Sequence, residues 1–197
     1  MATLKVMQPI ESPVCLLHSR SPEQIKAQLA QVGVIYEHRS ALGLDSLSAD
    51  DAVRAAAQLA IDGVGRGESG WKLEVSRVAI DASSCEQQSE TETDRARYLA
   101  EHFHEEDEVW IFVRGRCVFY VRDADTVYVV LCEKGDCIRI PAFMKHWFDM
   151  GASPEYCGLR LYRTCPGFVG TFTGNEFSNR FPLLEEIENP AADTSAQ

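Results

Sequence analysis

His102-Phe103-His104-Glu105-Glu106-Asp107-Glu108, with Gly135-Asp136-Cys137-Ile138-Arg139-Ile140-Pro141-Ala142-Phe143-Met144-Lys145-His146 downstream, decides how this chain is read. The run from Glu101 to Arg122 is rich in Val, Phe, Tyr and Trp, the composition of a pair of strands. Side chains alternate faces along a strand, so residues two apart share a face. His102 and His104 therefore point the same way, and Glu108 keeps their parity. His146 lies in a second strand, Ile138 to Phe148, and is expected to arrive from across a barrel. Imidazole nitrogens with a carboxylate oxygen suit iron, nickel, manganese, copper or zinc.

A single histidine on an apolar strand is ordinarily a packed or solvated residue. The case for a metal rests on the joint pattern: His-x-His, a carboxylate of the same parity and the later Gly-Pro-His spacing. Glu106 also shares that parity and competes with Glu108 as the ligand. Glu105 and Asp107 read as a solvated acidic face or as partners that orient the imidazoles.

Working outward, Leu4 to Met7 opens the chain as a short strand. Ser21-Pro22-Glu23-Gln24 is a helix start, with Ser as cap, Pro at the first position and Gln at the third. Ile25, Leu29 and Val32 give that helix an apolar face, and Gly33 ends it. Ser48 with Asp51 starts a second helix over Ala52 to Ile61. Glycines 63, 65, 67 and 70 form a loop without a phosphate-cradle motif. Trp71 to Ile80 alternates as a strand. The acidic stretch Ser83 to Asp94 is expected to be a solvated connection, the alternatives being a mobile lid or a helix start. From Tyr98 to Tyr162 strands follow one another across short turns, which predicts a closed or sandwiched β-barrel. The tail after Asn189, residues 190–197, is expected to be disordered.

The motifs resemble the cupin superfamily. Its first motif corresponds to His102, His104, Glu108 and Gly115, and its second to Gly135, Pro141 and His146. Phe143 stands where the second motif usually has Gly, and Met150 where it usually has Asn. Within that superfamily the chain resembles the acireductone dioxygenase family. The resemblance rests on Glu101-His102-Phe103-His104, Glu106-Asp107-Glu108-Val109, His146-Trp147-Phe148-Asp149-Met150-Gly151, Leu159-Arg160-Leu161-Tyr162, Phe172-Thr173-Gly174 and Arg180-Phe181-Pro182. It spans residues 70 to 185 with specific motifs and is looser before them.

The resemblance implies a mainly β fold with some α: a cupin-type double-stranded β-helix, or jelly-roll, barrel with N-terminal helices. Residues 1–189 then form one domain, with the barrel core at about 70–185 and an α/β part at 1–69. It also implies His102, His104, Glu108 and His146 as metal ligands, and one Fe(II) or Ni(II) per chain. Arg160 is the implied catalytic polar group and Phe148 the implied pocket lining, and Trp110 and Phe168, which depart from the family pattern, are further candidate substrate contacts. The implied substrate is a methylthio-bearing acireductone, cleaved with O2 in methionine salvage. The Fe(II) form gives the 2-keto acid plus formate; the Ni(II) form gives methylthiopropionate, formate and carbon monoxide. The family usually has an Arg two residues after the ligand Glu, where this chain has Trp110, and Arg114 or Lys145 is the candidate to restore that charge. Phe112 and Trp147 are further candidates for the apolar wall, though Trp147 is out of parity and reads as barrel core. The alternatives are another cupin dioxygenase of an enol or diketone, a non-enzymatic metal-binding cupin and, last, a sugar isomerase.

Composition agrees with this class. The chain has 197 residues, 45% hydrophobic and 25% charged, which is enough for a real core. A net charge of −11 argues against nucleic acid and anionic membrane surfaces. No apolar run reaches a membrane span, and Met1-Ala2-Thr3-Leu4-Lys5-Val6 has no signal-peptide core. Seven cysteines without a spacing pattern fit a reducing compartment. The expectation is a cytoplasmic monomer, with Cys117, Cys132 and Cys137 as small core residues.

Overall fold

The computed structural model describes residues 2–8, 13–39, 70, 72–79, 85–163 and 169–188. The expected helix over Ala52 to Ile61, Phe168 and the tail 190–197 lie outside the described residues. The elements are β1 Thr3–Gln8, β2 Val14–Ser19, α1 Pro22–Ala30, β3 Ile35–His38, β4 Lys72–Ala79, α2 Cys85–Leu99, β5 His102–Phe103, β6 Glu108–Arg114, β7 Arg116–Asp123, β8 Thr126–Glu133, β9 Asp136–Ile140, β10 Lys145–Asp149, β11 Glu155–Tyr162, β12 Thr171–Phe172 and α3 Leu184–Glu188. Two antiparallel sheets result, ordered β12-β5-β10-β7-β8-β1-β2 and β3-β9-β6-β11-β4.

The main core lies between the sheets. Leu4, Phe119, Val121 and Val130 come from the first, and Tyr36, Trp110, Phe112, Ile138 and Ile140 from the second. Each fully buried side chain of this size contributes roughly 1.5–3 kcal/mol. The opposite parity of β7 and β8 is buried as well: Val118, Tyr120, Val127 and Val129 pack with Trp147, Phe181 and Leu184. Burial on both faces explains why these strands read as continuous apolar runs rather than as an alternation. Trp147, stacked on Tyr120 with centroids 5.1 Å apart, is buried in this second cluster, on the face turned away from the core between the sheets, and so is not the barrel-core residue expected.

At α1, Ser21 caps the helix by accepting from Gln24 N, and Ile25 and Leu29 are buried. Three expectations need correction. The strand expected from Glu101 onward is broken: β5 is two residues long and the chain bends at Glu105 and Glu106 before β6 begins at Glu108. The strand expected from Ile138 to Phe148 is likewise two strands, β9 and β10, parted at Pro141, which cannot donate to a ladder. The described part of the acidic stretch expected as a solvated connection, residues 85–94, belongs to α2. Tyr98 and Leu99 pack that helix against the two cores, and Arg95 ties it to the strands. Arg95 donates to both oxygens of Asp149 on β10, at 2.8 and 3.0 Å, and to Glu185 at 2.8 Å.

Candidate metal centre

His102 and His146 stand opposite one another in the β5–β10 ladder. His146 thus comes from the strand beside His102, not from across the barrel. His104 follows the end of β5, and its backbone C=O accepts from Phe143 N at 2.8 Å, which ties the bend to the β9–β10 turn. The three ring centroids are 4.5, 5.2 and 5.2 Å apart, and the ligand-capable atoms of all three lie within 4.8 Å of one another. All three residues are buried.

Glu108, at the start of β6, completes the cluster. Its Oε2 is 3.1 Å from His146 Nε2 and 3.8 Å from His104 Nε2. Glu106 is not part of it: the bend turns its carboxylate to accept from Arg163 N. Asp107 accepts from Arg139 Nε at 2.6 Å and from Ala142 N at 2.9 Å, holding the start of β6 to the turn that delivers His146.

The hydrogen atoms show what the cluster accepts. His102 Nδ1 donates to Ala100 O at 2.8 Å, and His146 Nδ1 to Met144 O at 2.9 Å. A carbonyl only accepts, so these nitrogens carry protons, which leaves each Nε2 as the atom that can serve as a ligand. His146 Nε2 and Glu108 Oε2 are buried and face each other at 3.1 Å, and neither has another hydrogen-bond partner. A cation held at that point would satisfy both atoms together with the other two imidazoles, so the donor set fits a metal ion. Burial, and then the neighbouring His146, lower the His102 pKa to about 4, and burial foremost lowers that of His104. Burial opposes ionisation of Glu108, but His146, His104 and Arg160 outweigh it and hold its carboxyl well below the usual range. His102, His104 and Glu108 are therefore held in the deprotonated forms that a metal ion needs.

A cavity of about 440 Å³ opens onto the cluster, lined among others by Trp110, Phe119, Phe148, Tyr156 and Arg160. Arg160 Nη2 is 3.4 Å from Glu108 Oε1. Of the expected wall residues, Trp110 and Phe148 line the cavity. Phe112 does not; it is stacked behind Trp110, at 6.0 Å. Arg114 and Lys145 do not replace the missing family arginine. Both are exposed, and Arg114 pairs with Glu155. Among the described residues, the cations that line the cavity are Arg160 and Arg97, the latter from α2 beside Tyr98. Sequence reasoning missed Arg97, Tyr98 and Tyr156, because no motif links α2 or the start of β11 to the site.

Comparison with known proteins agrees with this geometry. A family model described as the ARD/ARD' family matches residues 4–169. The chain belongs to that family. An acireductone dioxygenase of a Synechococcus species is 41% identical to this ARD-family chain over 175 residues, covering 88% of the chain and 91% of the relative. The acireductone dioxygenase of Parvibaculum lavamentivorans is 37% identical over 187 residues, covering 94% and 98%. A solved structure titled as the acireductone dioxygenase of Bacillus anthracis, with a cadmium ion in its active centre, superposes with a TM-score of 0.67 at 19% identity. It covers 87% of this chain and 98% of its own, and it supports the cupin-type fold of this ARD-family member.

Proposed function

We propose that this chain is an acireductone dioxygenase. In this reading it holds one Fe(II) or Ni(II) through His102, His104, Glu108 and His146, and it cleaves a methylthio-bearing acireductone with O2. The observation that carries the proposal is the buried meeting of His146 Nε2 and Glu108 Oε2 beside two further imidazoles, at the floor of a cavity. A metal bound there supplies Lewis acidity toward an enediolate and a place for it beside dioxygen.

The rest is done by the chain's own side chains. Arg160, beside Glu108 at the cavity floor, donates toward the oxygens of an anionic substrate. Phe148, Phe119 and Tyr156 offer an apolar wall to the thioether end and keep water from it. Phe168 is proposed as a further contact on family grounds. The chain is proposed to work as a cytoplasmic monomer of one domain. Its −11 net charge, its free thiols Cys117, Cys132 and Cys137, and the absence of any membrane-crossing helix among the described residues support that. The Fe(II) form is expected to yield the 2-keto acid and formate, and the Ni(II) form methylthiopropionate, formate and carbon monoxide.

The test is reconstitution of the metal-free protein with each ion under anaerobic conditions, followed by oxygen and product analysis. Metal-specific products that vanish in Glu108→Ala and His146→Ala support the reading. Bound metal with no acceleration of acireductone loss overturns it, and turnover of other enols would then mark a different cupin dioxygenase.

A further inference from the structure

Glu108 has two oxygens in different surroundings. Oε2 faces His146 and His104, and Oε1 faces Trp110 and Arg160. The indole Nε1–H of Trp110 donates to Oε1 at 2.7 Å. Glu108 and Trp110 are two apart on β6, so this contact is built into one strand face. Across the ladder, Arg160 on β11 is the register partner of Trp110. Its guanidinium lies over the indole, Cζ 4.9 Å from the ring centroid, and its Nη2 also reaches Oε1. One buried side chain therefore positions both the carboxylate and the pocket cation.

The surroundings are shaped for that indole. Phe148 stacks on one side, at 5.4 Å and 16°, and Phe112 on another, at 6.0 Å and 13°. A Cβ on residue 158 would sit 2.8 Å from Trp110 Cζ3, so Gly158 is what lets the six-membered ring lie flat there. The indole also lacks a charge. A cationic donor at position 110 would neutralise part of Glu108, whereas an N–H orients the carboxylate and leaves its negative charge for the cluster.

We propose that Trp110 is a positioning residue for the metal centre. Its N–H holds Glu108 Oε1 so that Oε2 alone is presented to the ion, and its ring holds Arg160 beside that carboxylate. The proposal rests on the reading of Glu108 as a ligand. Co(II) and Zn(II) are the probes, and no turnover is needed. Trp110→Phe keeps a flat ring and removes the donor. It is expected to weaken Co(II) binding by roughly 10- to 100-fold and to change the visible Co(II) spectrum. In a Glu108→Ala background the same substitution should add nothing. Unchanged affinity and spectrum in Trp110→Phe, with Glu108→Ala impaired, would overturn the positioning role alone. Unchanged binding in Glu108→Ala would overturn the ligand reading itself. If Trp110→Phe does not fold, the Trp110 indole N–H resonance of the Zn(II)-loaded native chain serves instead. It should lie downfield and move upfield in Glu108→Ala, and a resonance that does not move refutes the hydrogen bond.

Discussion

Arg160 is the residue whose removal most directly separates binding from support. It lines the cavity, lies on the Trp110 ring and reaches Glu108 Oε1. Arg160→Met keeps a similar stem and deletes the donors, so kcat/KM should fall by roughly 100-fold or more while metal content stays near one per chain. Arg160→Lys restores the charge without the planar fork and should recover only part of that loss. Steady-state kinetics with metal analysis on each variant checks both. Glu106 provides the matching negative case. Its carboxylate is turned to Arg163 N, so Glu106→Gln should leave metal affinity within about twofold of the native chain, as measured by Co(II) titration. Sequence parity made Glu106 and Glu108 equivalent, and only the bend at residues 105–106 separates them. The histidines were legible because His-x-His and Gly-Pro-His spacings survive that bend. The contact of Arg160 with Trp110 was not, because it depends on the β6–β11 register, which no local pattern encodes.

At the scale of elements, Asp149 is the joint between α2 and the site. Fully buried, it accepts from Arg95 twice, from Gly151 N at 2.9 Å and from Leu184 N at 2.8 Å. It thereby holds α2 and α3 to the strand that carries His146. Asp149→Ala leaves Arg95 with Glu185 alone and strips the Gly151 and Leu184 N–H groups of their acceptor, at a cost of roughly 1–3 kcal/mol for each group left unsatisfied. Thermal unfolding should show a fall of several degrees or more. Since α2 carries Arg97 and Tyr98, the KM of the folded fraction should also rise. Glu101 does the same at the other rim: buried on β5's approach, it accepts from Arg122, Thr173 and Asn175 and so fastens β12 beside His102. The strands were readable from their Val, Ile, Tyr and Phe content. The extent of α2 was not, because fifteen residues with so few apolar positions carry no helical stripe. Its anchors are Tyr98 and Leu99 at its end and the Arg95 ion pairs, and partners for Arg95 that lie 54 and 90 residues away in sequence are invisible locally.

Over the whole molecule, the metal centre sets how stability depends on pH. In the metal-free protein, burial and the neighbouring His146 hold the His102 pKa at about 4, against 6.5 for the free side chain. As pH falls below 6.5, the unfolded chain takes up that proton and the folded one does not, so the folded state loses ground. The loss accumulates down to about pH 4, where the folded form protonates too, and it amounts to roughly 3 kcal/mol at 1.36 kcal/mol per unit. His104, lowered in the same direction, adds to it, and Glu108, whose pKa is depressed by His146, His104 and Arg160 despite burial, extends the decline to lower pH. A bound ion needs the same deprotonated ligands, so the loaded protein should be the more stable form near neutrality, by RT ln(1 + [M]/Kd) for free metal M. Unfolding midpoints measured from pH 7.5 to 4 should therefore fall steeply for the metal-free chain. The loaded chain should hold its midpoint until the ion is released and then follow the metal-free curve. His102→Gln keeps a polar side chain but removes the titrating ring, so it should flatten the metal-free decline between pH 6.5 and 4. An unaltered slope in that variant would place the acid sensitivity elsewhere in the fold.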